Sequence, residues 1–271
     1  MGTQRGSGRR QALTAWLALI VVSLCGPASG ALASKARPSV FEATLEEQGQ
    51  KTPELSTDEF KAVLANNAAV VLDARPKIEF AAAHIPASIS IDEKGLLRIV
   101  QSFPDRTTSI VVYSNGPYCD WARRRSEELV NMGYSKVSRY QLGLAVWRAL
   151  GNAAETSLDG FRRVFNANHV VLLDARSRAQ YSAGTIPSAE SVLSGEVARA
   201  MQDHRLQYYD RGIRIIVFGN SAGEARSVAE EIARNAYPNS SFFGGTYQDL
   251  KRAKFFSERK PSPSNLDGLT R

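Results

Sequence analysis

The sequence predicts an α/β protein made of two tandem copies of one domain, each a parallel sheet flanked by helices. Three observations predict it. The chain has 271 residues, and at roughly 100–200 residues per domain that length favours two. It also repeats itself. VVLDAR at 70–75 returns as VLLDAR at 171–176, HIPAS at 84–88 as TIPSA at 185–189, and SIVVYSNG at 109–116 as RIIVFGNS at 214–221. QLGLAVWRAL at 141–150 answers more loosely to FGGTYQDLKRA at 243–253, and ordered matches at nearly constant spacing mean duplication. Within each copy, short apolar β-branched runs alternate with helical stretches, as buried parallel strands and their crossover helices do.

Composition sets the class. With 43% hydrophobic and 23% charged residues, 20 Gly and 11 Pro, the chain is neither collagen-like, nor low in complexity, nor a multi-span membrane protein. The formal charge of +7 invites a nucleic-acid reading. However, the first 33 residues hold Arg5, Arg9 and Arg10 and no acid, so the remainder carries 31 basic against 27 acidic residues. That excess is small and dispersed, which argues against nucleic acid as a partner.

The N-terminal elements come first in order. Three arginines precede an apolar run over 12–25, then Gly26, Pro27 and Ala31-Leu32-Ala33, the three-part layout of a secretory signal peptide over 1–33. The run is short of the roughly 20 residues that span a bilayer, so no membrane span is expected after cleavage. The mature protein is expected to be exported, to the bacterial periplasm, beginning at Ser34. Residues 34–54 read as a polar leader and 254–271 as a flexible tail. Cys25 leaves with the signal peptide, and Cys119 is then the sole thiol. The mature fold can form no intramolecular disulfide.

Copy one spans 55–151. Ser56-Thr57-Asp58-Glu59 is a capping box opening a helix to about Asn66. Strands follow at 69–73 and 110–113. A surface helix runs from Asp120 to Met132 and is closed by Gly133; a strand at 136–140 and a helix from 145 complete the copy. Copy two, over 157–253, repeats the order with strands at 170–174, 213–218 and 240–243, and helices at 223–236 and from Thr246.

The LDAR strand end, the HIPAS segment after a short helix at 79–83, the strand delivering VVYSNGPYC into a helix, Gly133-Tyr134 and the 143–147 stretch together resemble the rhodanese-like, or sulfurtransferase, family. The resemblance covers nearly all of the mature chain. It implies chemistry where the strand ends and the helix begins: a cysteine takes a sulfane sulfur from a small donor and passes it, as a persulfide, to a thiol acceptor. No cofactor or metal is implied. Backbone N–H groups and a helix N-terminus would stabilise the thiolate and persulfide. The sequence departs from the family at the usual cysteine position, which is Ser114. Cys119 stands five residues later and is the candidate sulfur carrier. Ser114, Asn115, Gly116, Tyr118 and Arg123 are the candidate substrate-binding residues around it. Arg123, Arg124 and Arg125 make the helix start electropositive, with Asp120 opposing them. In copy two Gly219 takes the cysteine position, so that copy is expected to be non-catalytic.

Other readings compete. Cys119 could be apolar filling under its loop, free cysteine being among the most buried residue types. The protein would then be a catalytically inactive module binding a protein partner or a sulfur compound. Cys119 and Arg125 also match a Cys-x5-Arg phosphatase signature, but the bulky 120–124 segment is unlike an oxyanion-wrapping loop. His84, His169 and His204 lack metal-ligand spacing. Asp73, Arg75, Asp174 and Arg176 recur in the copy without a nucleophile, which marks them as structural.

Overall fold

A computed structural model describes residues 49–91, 95–167, 170–206 and 212–254. His169, the signal segment and 255–271 lie outside these. In copy one, α1 (Thr57–Ala65) leads to β1 (Val70–Asp73), α2 (Lys77–Ala82), β2 (Ser88–Ser90), α3 (Gly95–Ser102), β3 (Ser109–Tyr113), α4 (Trp121–Asn131), β4 (Lys136–Tyr140) and α5 (Gly143–Ala149). Then come β5 (Ala154–Thr156), α6 (Leu158–Asn166), β6 (Val171–Asp174), α7 (Arg178–Ser182), β7 (Ala189–Ser191), α8 (Val197–Gln202), β8 (Ile215–Phe218), α9 (Ala222–Arg234), β9 (Ser240–Phe243) and α10 (Tyr247–Ala253). Among the described residues no helix is long and apolar enough to cross a membrane.

The strands form two sheets, ordered β2-β1-β3-β4 and β5-β9-β8-β6-β7, with every named pair parallel. Helices cover both faces of each. On one side of the first sheet Leu72, Ile110, Val112 and Leu129 make a core; on the other Phe60, Val71, Tyr113, Tyr140 and Trp147 do. The second sheet is flanked in the same way, by clusters around Val217 and Ile232 and around Phe161 and Phe218. Continuous apolar strands such as VVLD and IIVF are what burial on both faces requires.

Duplication extends to the sheet edges. Residues 52–55, at the end of the leader and the start of copy one, are stitched to β4. Leu55 N donates to Arg139 O, Arg139 N donates to Pro53 O, and Arg139 pairs with Glu54 at 2.7 Å. β5 holds the same place in copy two, between the two family-like segments. Its other edge faces copy one, where His84 and Glu155 exchange N–H to carbonyl bonds of 2.9 and 2.8 Å. Beside this junction α2 packs on α6. A Cβ on Gly160 would lie 1.8 Å from the Ala81 carbonyl oxygen, so only glycine lets the helices meet so closely.

Candidate active site

In the first sheet the chain leaves β1 for β2 on one side and returns for β3 on the other, a topological switch whose carboxyl ends are the usual place for a site. Asp73 stands opposite Tyr113, and Tyr113 opposite Tyr140, across that edge. Beneath it Arg75 grips Asp73 through two nitrogens, its Nη2 at 2.6 Å, and donates to Ala83 O. The Tyr113 hydroxyl donates to Asp73 at 2.6 Å and accepts from Ile85 N. Burial first, and the Asp73 charge second, push the Tyr113 phenol well above its ordinary value. The tyrosine is therefore neutral scaffold. His84 is scaffold too: its Nδ1 lies 2.8 Å from Phe80 O and its ring stacks on Phe80.

The loop from Ser114 to Asp120 sits on this platform and is pinned from several directions. Ser114 O accepts from Leu144 N and Asn115 O from Ala145 N, both in the first turn of α5. Gly143 makes that approach feasible, since a Cβ there would fall 2.5 Å from Ser114 O and its φ is +63°. Gln141 Nε2 donates to Pro117 O at 3.0 Å and Cys119 O at 2.9 Å, and Cys119 N donates to Gly116 O. Sequence reasoning missed Gln141; its place two residues before Gly143, in QLG, was the available signal.

Each expected site residue lies on or beside this one loop. Ser114 is fully buried, and its Oγ has no hydrogen-bond partner. Gly116 is buried, Asn115 and Tyr118 are exposed, and Cys119 and Arg123 are half-buried. Helix α4 begins at Trp121, one residue after the expected Asp120, which caps it without a side-chain bond. The arginines that follow are less free than the sequence suggests: Arg124 pairs with Asp120 at 3.0 Å and Arg125 with Glu128 at 2.7 Å. Because 121–125 are helical and Arg125 is engaged, no loop wraps an oxyanion between Cys119 and Arg125, and the phosphatase reading is set aside.

The copies differ in what fills the loop. In copy two the Glu224 carboxylate folds back to accept from Asn220 N at 2.6 Å, and a Cβ added to Gly219 would lie 2.7 Å from it. Copy two thus caps its own strand-end N–H with an internal anion. In copy one the N–H groups of Asn115, Gly116 and Tyr118 find no acceptor among the described residues.

The model of the rhodanese-like domain matches residues 56–150 and again 157–253. The chain belongs to the rhodanese-like domain family. Its similarity to solved structures is distant. A thiosulfate sulfurtransferase of Pseudomonas aeruginosa is 22% identical over 74% of this chain, which spans 42% of that protein's length (TM-score 0.35). The 3-mercaptopyruvate sulfotransferase of Escherichia coli is 20% identical over 72% of this chain and 99% of its own (TM-score 0.34). A human single-domain sulfurtransferase is 22% identical over 36% and 95% (TM-score 0.32). No curated protein matches the chain. Among the described residues no group of His, Cys, Asp or Glu is placed to hold a metal ion. The fold places the copy-one loop at the carboxyl end of β3, an interior strand of the first sheet.

Proposed function

We propose that this rhodanese-fold protein carries sulfane sulfur on Cys119, outside the cytoplasm, with copy two as a non-catalytic partner. The contrast between the two loops carries the reading. One loop is closed by its own Glu224, whereas the other keeps unspent N–H donors beside a half-buried thiol. Such donors suit an anion. The Cys119 thiolate would attack the outer sulfur of a donor such as thiosulfate. A Cys119 Sγ–S bond forms, the donor S–S bond breaks, and sulfite departs with the electron pair. An acceptor thiolate or cyanide then attacks the outer persulfide sulfur, which regenerates the Cys119 thiolate.

The test is thiocyanate formation from thiosulfate and cyanide by the wild type and Cys119→Ser. Activity abolished in a folded Cys119→Ser supports the reading. Equal turnover in both proteins, or none in either, contradicts it. The second reading, an inactive module that binds a partner or sulfur compound, draws on Ser114, a buried serine where the strand end would need a thiol. Export is checked separately by the intact mass of the secreted protein, expected to begin at Ser34; a chain retaining Met1 would contradict it.

A further inference from the structure

The outer strands β2 and β7 edge their sheets in the same way but are finished differently. Asp73 stands beside Ser90 in copy one and Asp174 beside Ser191 in copy two. The same offset relates the buried pairs Ile91 and Val192, and Leu96 and Val197. It also sets Lys77 against Arg178 and Gly95 against Glu196. In copy two the Glu196 carboxylate covers this edge. Both its oxygens accept from Arg178 Nη2 at 2.9 Å, and it lies 3.7 Å from Arg205, which also donates to Ser191 O.

Copy one keeps the cation and loses the anion. Lys77 has no ion-pair partner among the described residues, and Gly95 has no side chain to provide one. Where copy two has its ion pair, copy one has a cavity of about 440 Å3, lined by Lys77, Gly95 and Arg98. Ile89, Ile99 and Phe103 give that cavity an apolar wall, and Ile89 is left 42% exposed. Small-molecule sites span roughly 300–1,000 Å3, so the volume suits one. A cationic side facing an apolar wall selects an anion carried on an apolar body. The charge missing here is a carboxylate in the other copy, which points to a carboxylate as the head group. An inorganic oxyanion would meet the cations but leave Ile89 and Phe103 uncovered.

We propose that the cavity between α2, β2 and α3 of copy one binds a small carboxylate with an apolar body, its head group taking the place that Glu196 fills in copy two. Cys119 is not among the lining residues, and the site does not depend on the sulfur-transfer reading. The probe is 3-phenylpropionate, with 3-phenylpropionamide as its neutral counterpart. Each is titrated calorimetrically at constant ionic strength into the wild type, Cys119→Ser, Lys77→Met and Gly95→Glu. The wild type and Cys119→Ser should bind the acid saturably at millimolar concentrations, and the amide at least about tenfold more weakly, the loss of a charge-assisted contact. Lys77→Met should lose at least about tenfold for the acid for the same reason. Gly95→Glu should lose binding altogether, because it supplies the carboxylate from within, as copy two does. No saturable binding to the wild type overturns the proposal, as does equal affinity for acid and amide. So does an affinity unchanged in Lys77→Met or in a folded Gly95→Glu. Should Gly95→Glu not fold, the amide and Lys77→Met comparisons decide alone. Binding retained in Cys119→Ser keeps this outcome separate from the fate of the sulfur-transfer reading.

Discussion

At Asp73 and Asp174 the two copies solve one problem with different residues. Each carboxylate takes a bidentate arginine plus one hydroxyl. In copy one that hydroxyl is Tyr113, at 2.6 Å; in copy two β8 ends in Phe218 and the hydroxyl comes from Thr185, at 2.7 Å. Thr185 replaces His84 in the repeat, so loss of one hydroxyl is matched by gain of another. Tyr113→Phe should cost about 1–3 kcal/mol, because it strips a partner from a buried carboxylate and from Ile85 N. Chemical denaturation reads this, and an unchanged midpoint would contradict it. Ser114→Ala should be neutral or stabilising by about 1 kcal/mol, since it removes an enclosed hydroxyl with no partner. It should leave sulfur uptake at Cys119 intact. The Asp–Arg pairs were legible as structure because they recur where no nucleophile does. The Tyr113–Thr185 exchange was not legible, because it depends on contacts between distant segments.

Elements were legible where the repeated motifs lie, whereas the helices α3, α6, α7 and α8 went unread. The capping box at Ser56 and the helix start at Thr246 fall where the sequence places them, and the structure adds a capping box at Thr246. The strands β4 and β9 fall on the residues expected, β9 buried at every position and β4 at Val137, Arg139 and Tyr140. The edge strands β2, β5 and β7 carried no signal; SIS, AET and AES are three residues long and lack an apolar run. Thr246→Ala should destabilise α10 by about 1 kcal/mol. Within that cap Asp249 is held from 3.8 to about 2, first by hydrogen bonds from Thr246 and then by Arg252. Its folded value is depressed, so its contribution is present above 3.8 and is lost as pH falls through about 2. The stability difference between wild type and Asp249→Asn should therefore be constant near neutrality and shrink over that acid range. A difference unchanged across the range would contradict the assignment.

On the scale of the whole molecule, the duplicated domains share a seam that the repeat could not reveal, since it is made by segments between the motifs. Gly160→Ala should cost about 3 kcal/mol, because its Cβ meets the Ala81 backbone and cannot be relieved by a side-chain rotation. A thermal melt that matches the wild type would show that α2 and α6 are not held so close. Duplication also explains how one loop can be closed by Glu224 while the other keeps its donors, each copy being free to diverge at its own strand end. Whether Cys119 carries sulfur is read from the intact mass of the native protein after thiosulfate treatment. One added sulfur is expected on the wild type, removed by cyanide or a thiol and absent from Cys119→Ser. A protein that gains no sulfur, with Cys119 alkylated only after denaturation, would contradict it and make this thiol core filling.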